Sequence, residues 1–221
     1  MKLKLAEKFA SINGEGKKAG EPAVFIRFPG CNLKCTYCDT QWAIEENAWK
    51  EELSLDDLRD YLRETGINNI TLTGGEPLLQ KHINTVVKEL LEDGYTIEIE
   101  TNGSQDISKF DFYDYGNVSF TVDYKLPGSG QEGAMFMDNY NLLSLKDSVK
   151  FVVSNLEDLH KAHAIIDQYN LTELTTVYLS AAFSDIKNQE IVDYMIEHKL
   201  NGIKLQLQLH KYIWHPDTQG V

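Results

Sequence analysis

Two periodicities take turns along the chain: short runs in which every second residue is apolar, and longer runs in which apolar residues recur at every third or fourth position. Residues 23–28 (AVFIRF), 69–73 (NITLT), 96–101 (TIEIET), 118–123, 149–153, 176–180 and 203–209 read as strands. Residues 54–64, 79–93, 154–169 and 189–198 read as helices. In the first helix Leu55, Leu58 and Leu62 share a face, Ser54 with Asp57 resembles a capping box, and Gly66 is the stop. Gly94 stops the second, and Ser154 with Glu157 caps the third. Residues 125–139 are Gly-rich and irregular, which predicts a long functional or mobile loop. Repeated strand–helix units predict an α/β fold with a mostly parallel sheet and right-handed crossovers, in one domain over residues 1–221. The chain is short for an eight-unit barrel, so a partial, truncated β/α barrel is favoured over a doubly wound sheet.

The chemistry-bearing strings fall just after strands. A cysteine-rich loop follows Phe28, Gly74-Gly75 follows Thr73, Asn102 follows Thr101, and Tyr124-Lys125 follows Asp123. Ligands of parallel β/α folds bind at the carboxyl ends of the strands, so these strings are expected on one rim. Composition narrows the picture little: 42% hydrophobic and 25% charged is an ordinary globular profile. The formal charge of −13, from 21 basic and 34 acidic residues, argues against a general nucleic-acid binder. The Met1 end has no long apolar core and no stretch approaches a spanning helix, so no membrane role and a cytoplasmic location are expected.

All three cysteines, Cys31, Cys35 and Cys38, lie in eight consecutive residues, spaced C-x3-C-x2-C. That is a poor disulfide framework. Structural zinc would need a fourth ligand, and no histidine is near in sequence. An iron–sulfur cluster fits better: three thiolates on a 4Fe–4S cube leave one iron able to bind a substrate or cosubstrate. Gly30 lets the loop bend closely round such a group.

With Tyr37 before the third cysteine and Gly74-Gly75-Glu76-Pro77 downstream, the sequence resembles the radical S-adenosylmethionine superfamily. The resemblance implies that the open iron chelates S-adenosylmethionine and that an electron from the cluster cleaves it to a 5′-deoxyadenosyl radical. It also implies that Gly75 meets the methionine amino end. The strings Ser11–Gly16, Gly20–Phe28, Cys38-Asp39-Thr40, Glu100–Gly103, Asp123–Lys125 and Gln206–Tyr212 look like the compact, clostridial-type 7-carboxy-7-deazaguanine synthases. Such enzymes convert 6-carboxy-5,6,7,8-tetrahydropterin to 7-carboxy-7-deazaguanine with loss of ammonia, in queuosine-type biosynthesis. A homodimer, a magnesium requirement and an electron donor such as flavodoxin or ferredoxin are further implications.

On that resemblance Tyr37, Cys38, Asp39, Gly75, Asn102, Asp123, Tyr124 and Lys125 are cosubstrate-contacting positions. Ile12, Asn13, Gly14, Glu15, Arg27, Thr73 and His210 are substrate contacts, and Thr40 matches a magnesium ligand. The chemistry suits these roles. Arg27 offers a planar fork to a carboxylate, and Glu15 and Asn13 can meet the edge of a pterin. Each has a plainer alternative: an exposed strand arginine, turn chemistry around Gly14 and Gly16, a β-forming Thr73, a turn cap at Thr40, a solvated Lys125, a structural His210 on the last strand. The family more often has Gln at position 13, and Ser180–Phe183 lacks a proline usual there. The tail from His215 to Val221 has no assignment. Two other readings remain open: an activase that makes a glycyl radical on a partner protein, and a non-enzymatic iron–sulfur carrier or zinc module.

Overall fold

The computed structural model describes residues 1–183, 185–215 and 218–221. Eight strands form one sheet in the order β10-β9-β8-β7-β6-β5-β3-β2. Their ranges are β2 Glu7–Ile12, β3 Pro22–Phe28, β5 Asn69–Gly74, β6 Thr96–Thr101, β7 Val118–Tyr124, β8 Ser148–Val153, β9 Thr176–Ala181 and β10 Ile203–Gln206. From β3 to β10 all neighbours are parallel; β2 is antiparallel to β3. The order advances in one direction without reversing, as in a barrel wound part of the way round and unlike a doubly wound sheet. The end strands β2 and β10 do not pair among the described residues. The loop after β2 reaches across instead: Leu209 N–H donates to Gly14 O at 3.0 Å, and Gln206 Nε2 to Gly16 O at 3.4 Å. A separate ribbon pairs β1 (Lys2–Leu5) with β4 (Glu51–Ser54).

The helices are α1 Leu55–Thr65, α2 Ile83–Glu92, α3 Leu156–Tyr169, α4 Leu171–Leu174, α5 Asn188–Glu197 and α6 His210–Ile213. Strand alternation sorts the two faces of the sheet. Ile70, Leu72, Ile97, Ile99, Val122, Phe151 and Leu179 are buried on the face that meets the helices, which contribute Leu58, Leu62, Val87, Leu90 and Ile166. The opposite, concave face carries Thr71, Thr73, Glu98, Glu100, Thr121, Asp123, Ser148 and Lys150. A barrel interior is ordinarily filled by branched apolar residues; this one is polar.

Several expectations need adjusting. The second helix starts at Ile83, because Glu76 caps a short 3-10 turn at Pro77–Leu79 with its carboxylate on Leu78 N–H (3.0 Å). The third is capped by Asn155, whose Oδ1 accepts from Asp158 N–H at 3.0 Å; Ser154 bonds Asp158 instead. The 125–139 segment is three short 3-10 turns, held by buried Asn139, which bonds Ile107 N, Gly103 O and Gln105 O. The last strand ends at Gln206, so His210 opens α6 and does not sit in the sheet. β1, β2 and β4 were not foreseen.

Candidate active site

The cysteine loop is laced to the glycine turn after β5. Gly75 N–H donates to Phe28 O (3.0 Å) and Glu76 N–H to Gly30 O (2.8 Å), while Gly30 and Cys31 N–H donate to Ala43 O and Ile44 O. A Cβ on Gly75 would overlap Gly30 O, and one on Gly74 (φ 139°) would overlap Phe28 O, so only glycine lets the two loops meet. Glu76 is fully buried and bridges to the next strand: Oε1 accepts from Thr101 Oγ1 (2.8 Å) and Oε2 from Asn102 N–H (2.7 Å). Burial pushes its carboxyl up to about 7, against those bonds. Asn102, so held, points Nδ2 at Cys31 Sγ (3.5 Å) and Asn32 Oδ1 (3.1 Å).

These loops form one wall of a cavity of about 550 Å3 at the carboxyl ends of the strands. All three thiols are half-buried on it. Burial raises the Cys35 and Cys38 thiols; Lys125 opposes this at Cys35, and the Thr40 backbone N–H at Cys38. Burial also works against the charge of Lys125, but Asp123 (Nζ–Oδ2 2.6 Å), Cys35 and Tyr37 outweigh it and hold its pKa high. Three adjacent thiols beside a buried cation can carry an anionic cluster, which meets the donor set of a 4Fe–4S cube. Among the described residues no three His, Cys, Asp or Glu side chains are placed to share a single metal ion. Tyr37 donates to Val152 O (3.2 Å), and Thr40 to Asp39 Oδ1 (3.0 Å). Asp39 also faces Lys211 (3.7 Å); burial would raise its carboxyl, but Lys211 and Thr40 bring it below the usual range.

The opposite wall is a charge network. Lys150 is 9% exposed and lies 3.3 Å from Glu15 Oε2 and 3.6 Å from Asp123 Oδ1. Ser180 reaches Glu15 Oε1 at 3.4 Å. Burial raises the Glu100 carboxyl; Lys150 opposes it, and Thr73 bonds it. Arg27 sits opposite Glu7 in the β2–β3 pair and gives Nε to Glu7 Oε1 at 2.7 Å, close to Trp42. His210 packs against Gly14, where a Cβ would press on its Nδ1; burial lowers its pKa. Ile12, Gly14 and Glu15 line this wall with Phe9 and Phe25, which stack at 5.0 Å. Thr218 to Val221 also line the cavity, and Lys50 reaches Gln219 at 3.4 Å. Pro216 and Asp217, within the unassigned tail, lie outside the described residues.

Two expected site residues do not line the cavity. Asn13 is 2% exposed, points into the sheet and accepts from Thr71 Oγ1 (2.8 Å). Tyr124 packs with Tyr140 and Phe151, and its hydroxyl donates to Glu132 (2.8 Å). Strand alternation turns Tyr124 to the helix-facing side, whereas Asn13, just after β2, bonds Thr71 on the concave face one layer below the rim. Lys150, Glu100, Glu7, Trp42 and Lys211 were missed. For Lys150 the signal was there: a charged residue inside an otherwise apolar strand, SVKFVV, marks a polar concave face.

Residues 25–163 match the model of the Radical SAM superfamily. Over the whole length of both chains the sequence is 49% identical to the 7-carboxy-7-deazaguanine synthase of Clostridium acetobutylicum. It is 36% identical to that of Methanospirillum hungatei, with 97% of this chain and 86% of that one covered. Its fold resembles crystalline QueE from Escherichia coli, with TM-score 0.71, 21% identity, and 93% and 94% of the two chains covered. It also resembles Streptococcus suis SuiB bound to precursor peptide SuiA, with TM-score 0.58 and 14% identity over 85% of this chain and 52% of that one.

Proposed function

The chain belongs to the radical SAM superfamily and, within it, to the 7-carboxy-7-deazaguanine synthases; from that premise we propose that it converts 6-carboxy-5,6,7,8-tetrahydropterin to 7-carboxy-7-deazaguanine and ammonia. The observation that carries the reading is one cavity with three adjacent thiols on one wall and the Lys150–Glu15 and Arg27–Glu7 ion pairs on the other. When bound, a 4Fe–4S cluster with S-adenosylmethionine supplies a radical that abstracts hydrogen.

The protein's own part is to hold, orient and exclude water. Cys31, Cys35 and Cys38 hold the cluster, and Lys125 offsets its negative charge. The backbone at Gly75, the amide of Asn102 and the Asp123 carboxylate meet the cosubstrate, with Tyr37 and Asp39 alongside. Arg27 and Lys150 receive the substrate carboxylate, since the one is a half-buried and the other a buried cation, each with donors to spare. Glu15 accepts N–H bonds from the pterin edge, and Thr73 and His210 flank it. Thr40 and Asp39 offer oxygen donors suited to Mg2+, which keeps several waters and would sit by the same carboxylate. The backbones of Ile12 and Gly14 shape the wall. A low-potential flavodoxin or ferredoxin delivers the electron, and the enzyme works as a cytoplasmic homodimer. No helix among the described residues is long and apolar enough to cross a membrane.

Protein reconstituted without oxygen should turn carboxytetrahydropterin into a product with the mass of carboxydeazaguanine, using S-adenosylmethionine catalytically. Finding S-adenosylmethionine cleaved with no deazaguanine formed would overturn the substrate assignment. Chelation that left the rate unchanged would remove magnesium from the scheme.

A further inference from the structure

We propose that the concave axis of the sheet is a hydrophilic passage that carries ammonia from the catalytic cavity to solvent at the opposite ends of the strands. The cargo rests on the reaction proposed above. The passage itself rests on how two cavities are stacked. A second cavity, of about 360 Å3, opens at the amino ends of β6, β7 and β8. On each of these strands an inward residue lines the catalytic cavity and the residue two before it lines the second: Glu100 and Glu98, Asp123 and Thr121, Lys150 and Ser148. Residues two apart on a strand face the same way about 6.6 Å apart, so a single layer of side chains separates the two spaces.

That layer is polar and incompletely paired. Thr121 Oγ1 donates to Glu98 Oε1 (2.6 Å) and lies 2.9 Å from Ser148 Oγ. Glu98 Oε2 has no partner, although the residue is only 4% exposed. Gln206 Oε1 and Asn13 Nδ2, on neighbouring inward positions, are also unpartnered. Buried groups left this way are costly unless a small polar molecule meets them. Ammonia is the size of water and both donates and accepts, so it fits donors and acceptors alike.

Both ends suit a one-way exit. The upper mouth is walled by the cysteine loop, α6 and the chain end at 218–221. The lower mouth reaches exposed Lys17, Gly116 and Asn117. There Lys18 bonds Asn69 Oδ1 and Thr96 Oγ1, and Lys146 bonds the carbonyls of Tyr113 and Val118. Lys18, satisfied by neutral oxygens, keeps its charge facing the mouth beside exposed Lys17, while Lys146 also has Asp147 Oδ1 at 3.9 Å. Neutral ammonia passes them and takes its proton from bulk water outside, whereas an ammonium ion would be repelled.

Gly116→Trp narrows the lower mouth at a position where an added Cβ meets nothing within 4 Å. In a single turnover, deazaguanine would be read after quenching, and free ammonia continuously with glutamate dehydrogenase. The variant should form deazaguanine at the wild-type rate but release ammonia several-fold later. Ammonia appearing on the wild-type schedule would overturn the exit route. A second arm needs no substrate. In the cluster-loaded, S-adenosylmethionine-bound enzyme, Ser148→Cys should react at position 148 with methyl methanethiosulfonate, read by mass spectrometry, and Gly116→Trp should slow this. No reaction there would refute the passage. A wild-type enzyme that forms no deazaguanine, yet is labelled at 148 in the variant, would refute the reaction and its cargo while the open lower half of the passage stands.

Discussion

At the scale of single residues, the polar concave face sets the terms. Among the described residues Lys150 is the cation placed among Glu15, Glu100 and Asp123 together; its loss takes that charge from Glu15 and Glu100, while Asp123 keeps Lys125 at 2.6 Å. Removing one partner of a buried pair costs on the order of 3 kcal/mol. Lys150→Met should therefore destabilise the fold by that much, read as a fall in the urea midpoint at unchanged slope, and abolish turnover; a fully stable variant would show that water already screens the network. Glu98 makes a separate claim. Burial raises its carboxyl to about 7 from 4.5, so between those values the folded chain holds a proton that the unfolded chain has released. Protonation favours the fold, and stability from this group falls as pH rises from about 4.5 to 7, by at most about 3 kcal/mol. In Glu98→Gln the group no longer titrates. Its urea midpoint should vary less between pH 5 and 7 than that of the wild type, and an unchanged slope would refute the assignment. Glu76, raised to about 7 as well, stays in both proteins and leaves a common residual slope.

At the scale of elements, local chemistry was read well where one residue decides it. The Ser54–Asp57 box is present in both directions, with Asp57 N–H to Ser54 Oγ at 3.1 Å and Ser54 N–H to Asp57 Oδ2 at 2.8 Å, and Gly66 closes α1 with φ 65°. Ser54→Ala should cost about 1 kcal/mol in thermal unfolding and leave deazaguanine formation untouched; a loss of activity would mean α1 positions the site more directly. Gly75→Ala should do the reverse of that cap variant. Its Cβ needs the space of Gly30 O, so the cysteine loop must move, and cluster absorbance per chain should fall sharply. The parallel strands were legible because their helix-facing residues are apolar and regular. β1 and β4 were not, because their antiparallel pairing joins residues remote in sequence, such as Lys2 with Ser54; β2 was not, because EKFASI buries none of its residues fully and carries no apolar alternation. His210 was misplaced for a related reason. The alternation QLQLH runs on through it, but Leu209 N–H bonds Gly14 O, a choice made by a loop nearly two hundred residues away.

At the scale of the whole molecule, the site is assembled by bringing the two ends of the chain together over the open edge of the sheet. Four strings on one rim followed from the strand-end rule alone, but the closure did not, since it consists of tertiary contacts between unlike segments. Gly14 receives Leu209, Asp39 beside the cysteines faces Lys211, and Lys50 holds Gln219. The Lys211 side chain is 8% exposed and its ammonium also lies 4.8 Å from the Phe183 ring, so it is held in place from two sides. It links the carboxyl-terminal segment to the loop that carries Cys38 and Thr40. The sheet and its helices need none of these contacts. Lys211→Met should therefore keep the cluster and most of the stability, while the closing segment loses its hold on the rim. The cost should appear as a KM for carboxytetrahydropterin raised about tenfold, the equivalent of one 1.4 kcal/mol contact. If kcat fell with KM unchanged, Lys211 would be acting on the reaction itself rather than on closure.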